Sequence, residues 1–211
     1  MRQTAASEAW ARQVKGKLPK VEQLLLTEFS RPSLPFREFE PADEWDLLAL
    51  AQHHGAATRL LDWPRSAPAA LWFAVRGPPL RTDDGKRLHN GVVWVLCPLV
   101  EDFRQGVNRE NPFENKSRTL IFRPKAVSRR IVAQSGVFTV HKIIDGGRFV
   151  PLERNSRYKS KLVKLIIPAT QFSNLRKDLD MLNANAGLLF PDLDGLGEYL
   201  TWRFTKFKDE Q

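Results

Sequence analysis

Five polar residues, Gln52, His54, Thr58, Arg59 and Asp62, are interleaved with apolar residues in the run from Ala49 to Trp63. Polar groups packed among core positions are costly unless they are paired or used. A guanidinium such as Arg59 suits a phosphate group, because its planar fork donates two parallel hydrogen bonds. His54 or Asp62 would then orient a ribose or a water. The other reading is structural: a buried Arg59–Asp62 pair fixing the turn, with Trp63 as its lid. His53 and His54 are adjacent, so on a helix they diverge by about 100° and do not converge on one point. His89 and His141 are remote in sequence, and no metal site is expected.

A second candidate is Gln134-Ser135-Gly136-Val137-Phe138. It reads as a Gln–Ser–Gly turn between two apolar strands, the first being Ile131 to Ala133. Glycine allows a close approach of backbone to ligand, and the amides of Ser135 and Gly136 could cradle an anion. Gln134 could hydrogen-bond a substrate amide. A β-bulge or tight hairpin accounts for the same residues equally well. Asp192 and Asp194 lack the glycine and distal glutamate of a calcium loop. They are read as a turn, with Asp194 capping the last helix. No phosphate-binding glycine loop, nucleophile elbow or His-Glu-x-x-His is present.

The elements that must position these residues follow from local pattern. Val21 to Phe29 puts Val21, Leu24, Leu25 and Phe29 on one helical stripe, ended by Pro32 and Pro35. Asp43 offers an N-cap to a helix from Glu44 to His54, which Gly55 stops. Ala56 to Pro64 reads as loop or extended chain. Ala67 to Val75 reads as a buried helix with Pro68 in its first turn. Gly91 to Leu96, Leu120 to Phe122, Gly136 to His141 and Leu162 to Ile167 are β-branched or aromatic and read as strands. Helices return after Pro168 and run to about Phe207. The expectation is one α+β domain, with helices near both ends around a mainly antiparallel, strongly twisted β-sheet. Residues 1–20 are expected to be poorly ordered or a marginal helix, and 21–211 to form the domain.

The net charge is +9, and thirteen basic residues face only two acidic ones between Lys116 and Lys164. The rest of the chain is slightly acidic. Such a strip attracts polyanions: nucleic acid, dinucleotides or phosphate groups. It serves equally well as a solvated face. No apolar run approaches the roughly 20 residues of a membrane span, and the first 20 residues contain no signal-type apolar block. The single Cys97, at the end of an apolar strand, excludes an internal disulfide and is expected to be buried and inert. A cytoplasmic protein with no membrane partner is the expectation. Oligomeric state is not indicated.

Three separated segments resemble the FRG domain family. The first is Trp45 to Ala74, with Leu48-Ala49-Leu50-Ala51-Gln52-His53-His54-Gly55, then Thr58-Arg59-Leu60-Leu61-Asp62-Trp63 and Ala70-Leu71-Trp72-Phe73-Ala74. The second is Ile131 to His141, and the third is Leu189-Phe190-Pro191-Asp192-Leu193-Asp194-Gly195-Leu196. The family's Phe-Arg-Gly tripeptide, carried on a strand before the first helix, is missing from this chain. Phe36-Arg37-Glu38 is similar but lacks the glycine and follows the Val21–Phe29 helix. The domain is therefore expected to be N-terminally shortened or degenerate.

The resemblance implies a bacterial domain of the toxin or phage-defence kind. By analogy with Arg-containing ADP-ribosyltransferase folds, it also implies NAD as ligand. On that implication His54, Arg59 and Gln134 take catalytic roles. Gln52, Thr58, Asp62, Ser135, Gly136 and Phe138 would bind substrate. The glutamate of those transferases is not present at Gln134. A nucleic-acid or nucleotide sensor using the basic strip 115–164 is the alternative, and a degenerate or protein-interaction domain is a third.

Overall fold

The computed structural model describes residues 18–104, 111–113, 118–125, 129–144 and 148–210. Residues 1–17, and with them most of the expected N-terminal segment, lie outside the described residues.

Helix α1 spans Leu18–Ser33. Its buried face is shifted from the expected stripe: Phe29 packs on the core and Val21 and Leu25 are half-buried, but Glu22 and Leu26 are the buried residues and Leu24 is 60 % exposed. The spacing 22, 26, 29 is as helical as the one expected, and a charged residue holds its first position because a partner waits for it. Pro32 lies in the last turn, where the chain tightens into a single 3-10 turn at Leu34–Phe36. The Arg37 guanidinium folds back onto the Ser30 carbonyl at 2.6 Å and the Ser33 hydroxyl at 3.1 Å. In Phe36-Arg37-Glu38 the arginine thus satisfies a helix end.

Helix α2 (Glu44–His53) begins where expected, with the Asp43 carboxylate accepting from the Trp45 and Asp46 amides at 3.0 Å each. Gly55, at φ +85°, ends it. Strand β1 (Leu60–Pro64) follows, then helix α3 (Ala67–Val75) capped by Ser66. Next come β2 (Gly91–Leu96), β3 (Leu120–Phe122), the short helix α4 (Arg129–Gln134) and β4 (Gly136–Val140). They are followed by β5 (Ile143–Ile144), β6 (Arg148–Phe149) and β7 (Leu162–Ile167). Helices α5 (Phe172–Met181), α6 (Ala186–Leu189) and α7 (Leu193–Thr205) complete the order.

The mixed α+β expectation holds. The strand ladders are antiparallel and fall into three groups: β1-β4-β3, β2-β7 and β5-β6. Ile131–Ala133, expected as a strand, lies within α4 instead. The reason is Ser135: at φ +48° its amide turns back to the Val132 carbonyl at 3.0 Å, which closes a helix rather than a hairpin.

Three apolar clusters hold the elements together. Trp45, Leu48, Leu60, Phe122, Phe138 and Val140 join α2 to the three-stranded ladder. Trp72, Phe172 and Phe190 join α3 to α5 and the chain after α6, and Trp63, Ile121 and Tyr158 fill the third. Each such side chain contributes about 1.5–3 kcal/mol on burial. The cap of α7 is Asp192, which accepts from the Gly195 amide at 2.7 Å, rather than Asp194. Cys97 is exposed, not buried: it lies one residue past the end of β2. Among the described residues no helix is long and apolar enough to cross a membrane.

Candidate functional site

Antiparallel pairing between β1 and β4 matches Leu60 with Val140, Asp62 with Phe138 and Pro64 with Gly136. The first two sequence segments singled out above therefore lie side by side. One step past the Leu60–Val140 pair stand Arg59 and His141, opposite each other at the ladder's end and both buried.

Arg59 is held by Glu22 of α1. Its amide donates to Glu22 Oε1 at 2.8 Å, and its Nε stands 3.2 Å from Glu22 Oε2. Both side chains are 0 % exposed. Among the described residues Nη1 and Nη2 of Arg59 reach no acceptor. Burial raises the Glu22 carboxyl above its usual range, against the pull of Arg59, and lowers Arg59 against the pull of Glu22.

The expected Arg59–Asp62 pair does not form: Arg59 precedes β1 and is buried against Glu22, whereas Asp62 lies within the strand opposite Phe138 and is exposed. Nor is Trp63 a lid for such a pair. Its Nε1 donates to Thr139 Oγ1 at 3.1 Å within the third apolar cluster.

Thr58 is buried beside Arg59. Its hydroxyl donates to Gln52 Oε1 at 2.5 Å and accepts from the Leu60 amide at 3.1 Å, tying the end of α2 to the start of β1. His141 Nδ1 lies 3.2 Å from the Val150 carbonyl. Burial pushes its imidazole down to about 4; the Val150 carbonyl opposes this and the Arg59 charge adds to it. At neutral pH it is uncharged.

Other expected site residues lie apart from this centre. His54 is exposed past the end of α2, edge-on to His53 at 5.2 Å between ring centroids. Phe138 is in the core, stacked on Phe122 at 5.5 Å. Ser135 is exposed. Gln134 turns the other way, its Nε2 donating to the Leu189 carbonyl at 3.0 Å. That bond brings the third sequence segment to the second, so all three segments are joined in space.

The buried centre of the region is thus Gln52, Thr58 and Arg59 together with Glu22 and His141. Sequence reasoning missed the last two. The available signal for Glu22 was its position four residues before Leu26; for His141 it was an apolar strand running straight into it.

No curated protein and no solved structure matches the chain. The family model of the FRG domain matches residues 3–82, a segment that carries Glu22, Gln52, Thr58 and Arg59 and stops well short of β4. Over residues 3–82 the chain is similar to the FRG domain family.

Proposed function

We propose that residues 21–211 form one FRG-like domain that binds a nucleotide of the NAD type, with a phosphate received by Arg59, in a cytoplasmic toxin or phage-defence role. The observation that carries this reading is the Arg59 guanidinium, fully buried with Nη1 and Nη2 lacking acceptors among the described residues. Buried charged groups are ordinarily satisfied, and a pair of phosphate oxygens would satisfy these two donors. Glu22 holds the Nε side and so aims the fork. The neutral His141 adds no competing charge. Because Arg59 is shielded from solvent, ligand entry requires local opening of the chain around it.

Bound NAD would supply an ADP-ribosyl group with nicotinamide as leaving group, the chemistry of an ADP-ribosyltransferase-like activity. In this chain Arg59 would bind and orient the phosphate, and Thr58 with Gln52 would hold Arg59's backbone in place.

Thermal-shift titration with NAD and ADP-ribose tests the reading. Ligand at a hundred times Kd is expected to raise Tm by roughly 5–10 °C. Arg59→Lys, folded by circular dichroism, is expected to lose the shift, because a lysine cannot make the bidentate contact. No shift for the folded parent chain refutes it.

The second reading is a nucleic-acid or nucleotide sensor, favoured by the exposed Arg118, Arg123, Lys125, Arg129, Arg154, Lys159 and Lys164 of the basic strip. Titration with single-stranded DNA separates the two, since contacts to phosphates on a surface weaken steeply between about 50 and 200 mM salt.

A further inference from the structure

Arg176 of α5 is as deeply placed as Arg59 but is fully used. Its Nη1 donates to the carbonyls of Val75 at 2.9 Å and Gly77 at 3.1 Å. These are acceptors left open by the end of α3. That bond pair anchors the guanidinium to the body of the fold. Its other edge faces a cleft lined by Trp72, Arg76, Glu198, Tyr199 and Trp202, with the Phe207 ring against its wall.

The chain's own segment fills the charged end of that cleft. Arg176 Nε meets Glu210 Oε1 at 2.5 Å and Nη2 meets Asp209 Oδ2 at 2.6 Å. Glu210 also accepts from Trp202 Nε1 at 3.1 Å and the Phe207 amide at 3.2 Å. The Phe207 ring lies 5.1 Å from the guanidinium carbon. Lys206 and Lys208 are exposed, and Lys206 leaves α7 at φ +52°, a backbone angle that a lysine rarely adopts.

We propose that this cleft is a docking site for acidic peptides of partner proteins, occupied in cis by residues 207–210. Its recognition pattern is an aromatic residue followed two and three positions later by carboxylates, as in Phe207-Lys208-Asp209-Glu210. The guanidinium edge exists independently of the segment, because the Val75 and Gly77 carbonyls set it. The two carboxylates complement it in charge. Arg76, exposed and 5.7 Å over the Trp72 ring, offers a second cation to acidic residues flanking the motif. The occupant is exchangeable because only Phe207 and Glu210 of the segment are shielded.

The test uses the full chain and a fluorescein-labelled peptide of residues 205–211. Asp209→Asn/Glu210→Gln, which weakens the cis segment, is expected to bind the peptide at least tenfold more tightly than the parent chain. Adding Arg176→Lys to that variant is expected to reverse the gain. A second readout needs no substitution: saturating peptide should speed amide hydrogen exchange of residues 207–210 of the parent chain at least threefold. Absence of binding by the folded double variant, binding indifferent to Arg176→Lys, or unchanged exchange each overturns the proposal.

Discussion

Removing one partner of the Glu22–Arg59 pair is expected to destabilise the chain far more than removing both. Both side chains are 0 % exposed, so the survivor's charge stays where water cannot reach it. Breaking such a pair costs about 3–5 kcal/mol, a large part of the roughly 5–15 kcal/mol available to a domain. The two single variants should differ in their pH response. Glu22→Gln strands a guanidinium that cannot shed its proton, so its loss should be nearly constant with pH. Arg59→Met strands a carboxyl already raised above 4.5 by burial, now without its counter-ion. That carboxyl pays no penalty below its unfolded pKa, and loses about 1.4 kcal/mol per pH unit as pH rises toward its folded pKa. Arg59→Met should therefore lie closer to the parent near pH 4.5 than near pH 7. Glu22→Leu combined with Arg59→Met buries no charge at similar volume and should return to within about 1 kcal/mol of the parent or exceed it. Urea unfolding followed by circular dichroism at both pH values, with linear extrapolation, measures all four chains. Single variants within about 0.5 kcal/mol of the parent, or a double variant as unstable as the two losses summed, would refute the reasoning.

Two further outcomes follow from the packing. The His141 imidazole, lowered to about 4 chiefly by burial, is neutral when folded and takes up a proton when unfolded below about pH 6.5. Its contribution is complete above that pH and is lost on acidification toward pH 4, up to about 3 kcal/mol. His141→Gln should remove this part of the pH–stability curve, and parallel curves for the two chains would rule it out. At Gly195 an added Cβ would stand 2.0 Å from the Phe190 carbonyl oxygen and 2.9 Å from that of Ala186, atoms that cannot move aside cheaply. Gly195→Ala should cost about 2 kcal/mol or more in a thermal melt, and an unchanged Tm would contradict the tight seating of α7 against α6.

What was legible in the sequence was local. The Asp43 cap, the apolar helix Ala67–Val75 and the strands Gly91–Leu96 and Leu162–Ile167 depend on patterns a few residues long, and each stands as expected. The buried centre depends on distance. Leu26 marks the helix face on which Glu22 lies but not its partner, which lies 37 residues further on. Arg59 and Asp62 look like a pair until Glu22, remote in sequence, is seen to hold Arg59 while Asp62 lies exposed within β1. Ile131–Ala133 has strand-like side chains, but one left-handed serine after Gln134 decides for a helix. Gln134 was expected to hydrogen-bond a substrate amide; its Nε2 donates to the Leu189 carbonyl, 55 residues away.

The pairing of β1 with β4 also bears on synthesis. Leu60 and Val140 are partners some eighty residues apart, so at about 5–20 residues per second the ribosome releases β4 roughly 4–16 s after β1. Through that interval β1 has α1, α2 and α3 for company but neither neighbouring strand nor the Thr139 hydroxyl that Trp63 later meets. The nascent chain thus passes through a stage with an unpaired apolar edge, the kind of surface chaperones bind. A fragment cut at the end of the family match would be arrested at that stage.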